Sequence, residues 1–138
     1  TAKKMGRPEG EVLKKPLVEF YFKNDDLADP FVSDDQIEAF DIATAAEISQ
    51  LKTLALKINE ILKGQFLKAK IQLIDFKIEF GKNKSGEILL ADEISPDCMR
   101  LWDIQSGEKM DKDRFRRDLG KVKESYEEVL HRLQQLEV

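Results

Sequence analysis

Residues 71–94 read IQLIDFKIEFGKNKSGEILLADEI, and the fold turns on how this stretch pairs. In IQLIDFKIEF the alternation puts Ile74, Phe76, Ile78 and Phe80 on one face of a strand and Asp75, Lys77 and Glu79 on the other. GKNKSG supplies the turn chemistry of a hairpin, and EILLADEI returns as the partner strand. If residues 81–86 are the whole loop, Glu79 opposes Ile88, Lys77 opposes Leu90 and Asp75 opposes Asp92. Directly opposed residues share a face with Cβ atoms roughly 5 Å apart, so Asp75, Lys77, Glu79 and Asp92 converge. Opposed like charges favour a cation between them or a proton on one carboxyl. Two carboxylates completed by water and phosphate oxygens suit Mg²⁺, and Lys77 can meet a phosphate as a point charge. The same pattern also fits an ordinary solvent-facing strand in which Lys77 neutralises Asp75 and Glu79. A slide of two residues would set Asp92 against Lys77 as a simple salt bridge.

Outward from the hairpin, LVEFYF (17–22) is apolar, aromatic and β-prone, and predicts a strand. The following KNDDLADP is turn chemistry closed by a proline. Thr44 and Glu47 form a capping-box pattern ahead of Ile48, Leu51, Leu54, Ala55, Ile58, Ile61 and Leu62. That spacing predicts a long amphipathic helix to about Ala69. A final helix is expected with Phe115, Leu119, Val122, Tyr126, Val129, Leu130 and Leu133 as its apolar stripe. The expectation is one α+β domain over residues 1–138, an antiparallel sheet packed with long helices.

The 138 residues are 41% hydrophobic and 36% charged, a composition able to bury a core. A net charge of −4 argues against general nucleic-acid binding, and no apolar run reaches membrane-span length. Cys98 and His131 are each the only residue of their type, which leaves no intramolecular disulfide and no Cys-based zinc set. Cytoplasmic localisation is the simplest expectation. The opening TAKKMGRPEGEVLKKP lacks an initiator Met and reads as a fragment or processed chain.

After the hairpin, Ser95-Pro96-Asp97 makes a tight turn, and Arg100 follows with a planar fork suited to a carboxylate or phosphate. A structural turn with a local ion pair fits that spacing equally well. Trp102 reads first as core.

DFKIEFG (75–81), LADEISPDCMRLWD (90–103) and MDKDRFRRDLG (110–120), in this order and spacing, resemble the C-terminal half of the phosphoribosylaminoimidazole-succinocarboxamide synthase, or SAICAR synthetase, family. The likeness extends over essentially the whole chain, including PLVEFYFKNDDLADP. It implies an ATP- and Mg²⁺-dependent ligase whose fold is a SAICAR synthetase-like C-terminal ATP-binding domain. ATP would activate the carboxylate of carboxyaminoimidazole ribonucleotide (CAIR), through a phosphorylated carboxylate. The amine of L-aspartate would then give the amide SAICAR, ADP and phosphate. The resemblance assigns Glu79 and Asp92 to the nucleotide phosphates and magnesium, and Asp75 and Lys77 to the catalytic floor, with Lys77 near substrate or phosphates. It assigns Asp97, Arg100 and Arg116 to the ribonucleotide substrate. Arg114 is expected to pair with Asp111 or Asp118 instead. Lys23 falls near the nucleotide and Asp29 near the substrate. The family's N-terminal lobe has no counterpart among these residues, so the resemblance implies that this lobe is required for activity; a homo-oligomer is also expected. Two other classes compete: an ATP/Mg²⁺-dependent small-metabolite kinase and a non-catalytic interaction module.

Overall fold

The computed structural model describes residues 1–117 and 119–136, with only the backbone of Phe115 and Arg116. The chain divides into two compact units, Thr1–Lys57 and Ile58–Val138.

In the first unit, β1 (Phe20–Tyr21) pairs antiparallel with β2 (Phe31–Val32), Phe20 opposite Val32. The strand expected over 17–22 is therefore shortened to two ladder residues. The turn between them is built by Asn24, whose side chain accepts from Leu27 N–H and caps a short 3₁₀ turn. Ala28 and Asp29 then take left-handed backbone angles, φ 55° and 46°. Asp29 is fixed locally, its Oδ1 accepting from Asn24 N–H at 2.8 Å. A short helix that the sequence reading missed, α1 (Asp34–Ala39), starts at a capping box in which Ser33 and Gln36 satisfy each other's backbone N–H groups. Helix α2 (Ala45–Lys68) begins at the expected Thr44/Glu47 box, with reciprocal bonds of 2.9 and 3.3 Å.

The second unit holds two further antiparallel ladders. Strand β3 (Ile71–Phe76) pairs with β6 (Met99–Asp103), and β4 (Glu79–Lys82) pairs with β5 (Ile88–Ala91). The fold class is α+β with antiparallel pairing, but the expected hairpin is corrected in two ways. The run 71–80 is not one strand: it breaks at Lys77–Ile78, and Asp75 faces Arg100 on β6 rather than Asp92. The loop is residues 83–87, because Asn83 Oδ1 accepts from Ser85 N–H and Glu87 N–H and so draws Gly81 and Lys82 into the ladder. Glu79 consequently faces Ala91, three residues from its expected partner Ile88. Gly86, at φ 83°, takes the left-handed position that this tight loop demands.

Burial explains the choice of β6 as partner for β3. Ile71 and Leu101 are fully buried, and with Phe66, Ala69, Met99, Met110 and Val129 they form one apolar cluster. Pairing β3 with β6 covers this cluster, whereas β5, though apolar, stays largely exposed. The expected final helix is two pieces, α3 (Asp113–Arg116) and α4 (Val122–Gln134). Gly120 (φ 65°) and Lys121 (φ 54°), both left-handed, separate them. Val129 on α4 enters the core, as the helical spacing required. Among the described residues, no helix is long and apolar enough to cross a membrane.

Candidate active site

Lys77, Ile78, Glu79, Asp92, Glu93, Asp97, Cys98 and Lys112 line one cleft of about 240 Å³ in the second unit. Four of these are residues singled out from the sequence, and they arrive from three different segments. Lys77 sits in the break after β3, where its backbone N–H donates to Cys98 C=O at 2.7 Å. That bond ties the break to the Ser-Pro-Asp-Cys turn. Glu79 opens β4 and Asp92 directly follows β5, so both carboxylates lie at the same end of the hairpin. The acids share the cleft because of the shifted register: Glu79 faces Ala91, next to Asp92, whereas the expected register set Asp92 opposite Asp75, four residues from Glu79.

Asp92 adopts φ 64°. A non-glycine residue in this region stores strain of order 1 kcal/mol, more readily tolerated by Asp and Asn than by other residues. Glu79 is mostly buried, and Lys77 Nζ lies 3.5 Å from its Oε1. Lys77 thus offers one positive charge beside the carboxylates.

The turn carrying Asp97 is held by its own side chains. Ser95 Oγ accepts from Asp97 N–H at 3.2 Å, and Cys98 Sγ accepts from Ser95 N–H at 3.3 Å. The Cys98 thiol donates back to Ser95 C=O, Sγ to O 3.1 Å, which gives this cysteine a structural role. Asp97 Oδ1 accepts from the Tyr126 hydroxyl at 2.6 Å, and Lys112 Nζ stands 4.0 Å from Oδ2.

Asp75 and Arg100 are brought to each other rather than to the cleft wall. Arg100 Nε donates to Asp75 Oδ1 at 2.8 Å, and a second guanidinium nitrogen meets Oδ2, a bidentate pair across the β3–β6 ladder. Neither residue lines the cleft. Arg114 is engaged by the loop around its own helix. It pairs with Glu108 at 2.6 Å and donates to the carbonyls of Lys109, Leu119 and Gly120, a buried cation that closes the loop around α3. Its expected partner Asp111 is engaged elsewhere, and Asp118 lies outside the described residues, as does the side chain of Arg116. Lys23 is exposed and Asp29 half-buried, both in the first unit.

The sequence reading missed Lys112 and the reason for its placement. Met110 N–H donates to Leu101 C=O at 2.8 Å, and Leu101 N–H donates to the fully buried Asp111 at 2.6 Å. These bonds stitch residues 110–111 onto β6 and deliver the next residue, Lys112, to the cleft. Burial pushes the Asp111 carboxyl above its ordinary range, opposed by the N–H groups of Asp113 and Leu101. The signal was present in MDKD, where two acids flank a lysine, but nothing in the pattern separated the buried acid from the exposed cation.

A larger cleft, about 360 Å³, lies within the first unit and is lined by Leu17, Val18, Phe20, Phe31 and Val32 with Glu19, Ser33, Asp34 and Asp35. Of its acids, Asp34 is paired with Lys52 and Glu19 accepts from Thr1, so it lacks the convergence of opposite charges found in the second unit.

Glu79 and Asp92 fit a Mg²⁺ ion that takes most of its oxygens from phosphate and water. Among the described residues, no group of three or more His, Cys, Asp or Glu is arranged as an all-protein metal cage. The donor set therefore fits a metal that comes with a phosphorylated ligand.

A family model described as SAICAR synthetase matches residues 1–133. The chain is 54% identical to the phosphoribosylaminoimidazole-succinocarboxamide synthase of Bacillus cereus over 132 residues, 96% of this chain and 55% of the relative. The enzyme of the same name from Anoxybacillus flavithermus is also 54% identical, with the same coverage. The chain thus spans about half the length of the curated relatives it matches. Among solved structures, the phosphoribosylaminoimidazole-succinocarboxamide synthase of Ehrlichia chaffeensis superposes with TM-score 0.91 at 47% identity, covering 96% of this chain and 57% of that one. A SAICAR synthetase in complex with ADP superposes with TM-score 0.90 at 46% identity, covering 95% of this chain and 56% of that one.

Proposed function

The chain belongs to the SAICAR synthetase family, and from that premise we propose that it forms part of an ATP-dependent ligase joining L-aspartate to CAIR. The reading is carried by one observation: Lys77, Glu79, Asp92, Asp97 and Lys112 all border a single cleft. Two acids with adjacent cations are what phosphoryl transfer to a carboxylate requires, since charge must be balanced on both the nucleotide and the substrate. The ADP held by a relative of the same fold supports nucleotide use here.

In this reading Glu79 and Asp92 hold Mg²⁺, which when bound neutralises phosphate charge and orients the transferring group. Lys77 meets the phosphate oxygens, and its proximity to Glu79 keeps it aimed into the cleft. Asp97 accepts hydrogen bonds from the ribonucleotide, while Lys112 offsets that substrate's negative charge. The Asp75 carboxylate fixes the plane of the Arg100 guanidinium so that Arg100 addresses the substrate from the rim. Arg116 is assigned to the same substrate by family pattern alone, and so are Lys23 to the nucleotide and Asp29 to the substrate. The aspartate amine attacks the activated carboxyl carbon, the new C–N bond forms, phosphate departs with the electron pair of the C–O bond, and the proton lost by the amine nitrogen passes to solvent.

ADP release by the full-length protein tests this, with ATP and Mg²⁺ present and CAIR and aspartate left out in turn. Release that needs both supports the ligase. Release that ignores aspartate, with phosphate appearing on a hydroxyl, would favour a kinase instead.

A further inference from the structure

Helix α4 carries Val129 into the core, and Tyr126 lies three residues earlier on the same stripe. Its hydroxyl leaves that packed helix and donates to Asp97 Oδ1 at 2.6 Å, within the range of a charge-assisted bond to a carboxylate. Asp97 itself stands on a short 3₁₀ turn with its side chain 46% exposed. The two oxygens face different partners: Oδ1 meets Tyr126, and Oδ2 lies toward Lys112 in the cleft.

We propose that Tyr126 is a positioning residue, which locks the Asp97 carboxylate so that its remaining acceptor capacity faces a hydroxyl or amino donor of the ribonucleotide. The inference rests on the ligase reading for the identity of that ligand, but the positioning itself rests on geometry. Tyr126 is not among the residues lining the cleft, and its hydroxyl reaches the cleft wall at Asp97.

The test compares Tyr126→Phe, Asp97→Asn and the double variant in the full-length protein. Removing only the hydroxyl keeps the ring's packing. Tyr126→Phe should raise KM for the ribonucleotide about fivefold to tenfold, the scale of one lost hydrogen bond, and leave kcat and the KM values of ATP and aspartate within about twofold. Because the phenol acts through Asp97, the double variant should match Asp97→Asn alone. An unchanged ribonucleotide KM in Tyr126→Phe, beside a raised one in Asp97→Asn, would overturn the proposal. So would losses that multiply in the double variant, which mark a general structural role.

A crystal structure of Tyr126→Phe supplies a readout that needs no turnover. The Asp97 carboxylate should leave the orientation seen here, and an unmoved carboxylate would refute positioning. If the wild-type protein made no aspartate-dependent ADP, the ligase reading would fall, and this structure would still decide the role of Tyr126.

Discussion

Replacing Asp111 by Asn, a change of almost no volume, should destabilise the second unit substantially. Asp111 is fully buried, and both carboxylate oxygens are used as acceptors: Oδ2 by Leu101 N–H at 2.6 Å and Oδ1 by Asp113 N–H at 2.7 Å. A carboxamide offers one oxygen and one NH₂ group. Whichever way it turns, one buried backbone N–H faces another donor. An unsatisfied buried donor costs about 1–3 kcal/mol. Part of this is offset, because Asn removes a carboxyl whose ionisation burial disfavours. A net loss of about 2 kcal/mol, at a urea m-value of about 2 kcal/mol/M, lowers the midpoint by about 1 M. Trp102 is the only tryptophan of this sequence and lies on β6 beside Leu101, so its fluorescence in urea reports this unit. Asp111→Ala, which strands both N–H groups, should lose more than Asp111→Asn. A midpoint for Asp111→Asn within about 0.2 M of wild type, well inside that predicted change, would refute the reasoning. The backbone groups would then have other partners, and Lys112 would owe its placement to something else.

Asp92 supplies a second prediction, since its φ of 64° separates side-chain chemistry from backbone strain. Asp92→Asn should unfold within about 0.5 kcal/mol of wild type, whereas Asp92→Ala should lose about 1 kcal/mol more. Equal thermal midpoints for the two variants would contradict that account. A third prediction concerns Asp103, whose carboxyl is held well below the usual carboxylate range. The main cause is the Ser106 backbone N–H, joined by Arg132, with burial opposing. A depressed folded-state value contributes stability that is complete above the unfolded value of 3.8 and drains away as pH falls below it. Wild-type urea midpoints should therefore fall on acidification through this window, and Asp103→Asn should show a shallower fall. Parallel curves for the two proteins would remove Asp103 from the acid response.

Much of this molecule was legible in its sequence where a local rule decided the outcome. The Thr44/Glu47 box and the spacing of Ile48 to Leu62 describe α2 because capping and 3.6-residue periodicity are properties of the segment itself. Pairing was harder. DFKIEF alternates well past the point where β3 stops, and nothing local says that Lys77–Ile78 is a break. That break is set by β6, whose Leu101 and Met99 offer β3 a buried face. The register of β4 and β5 depended on the Asn83 side chain, which closes a five-residue loop over 83–87 where composition alone marked residues 81–86. The cleft was readable in part for a related reason. The alternation singled out Glu79 and Asp92 as acids of one hairpin, but the register that sets Glu79 opposite Ala91, next to Asp92, and the strand exchange that takes Asp75 to Arg100 are visible only in three dimensions. Within MDKDRFR, the buried Asp111 and Arg114 look as solvated as Lys112 until the core is assembled around them.

The central claim is that Glu79 and Asp92 hold the metal that accompanies a nucleotide. It is tested most directly by calorimetric titration of ADP into the full-length protein with and without Mg²⁺, repeated for Glu79→Gln and Asp92→Asn. The account predicts that Mg²⁺ tightens ADP binding to the wild-type protein and that each variant loses most of this gain while still binding ADP alone. The same Mg²⁺ enhancement in all three proteins would contradict it, and would leave the two acids with no part in the chemistry.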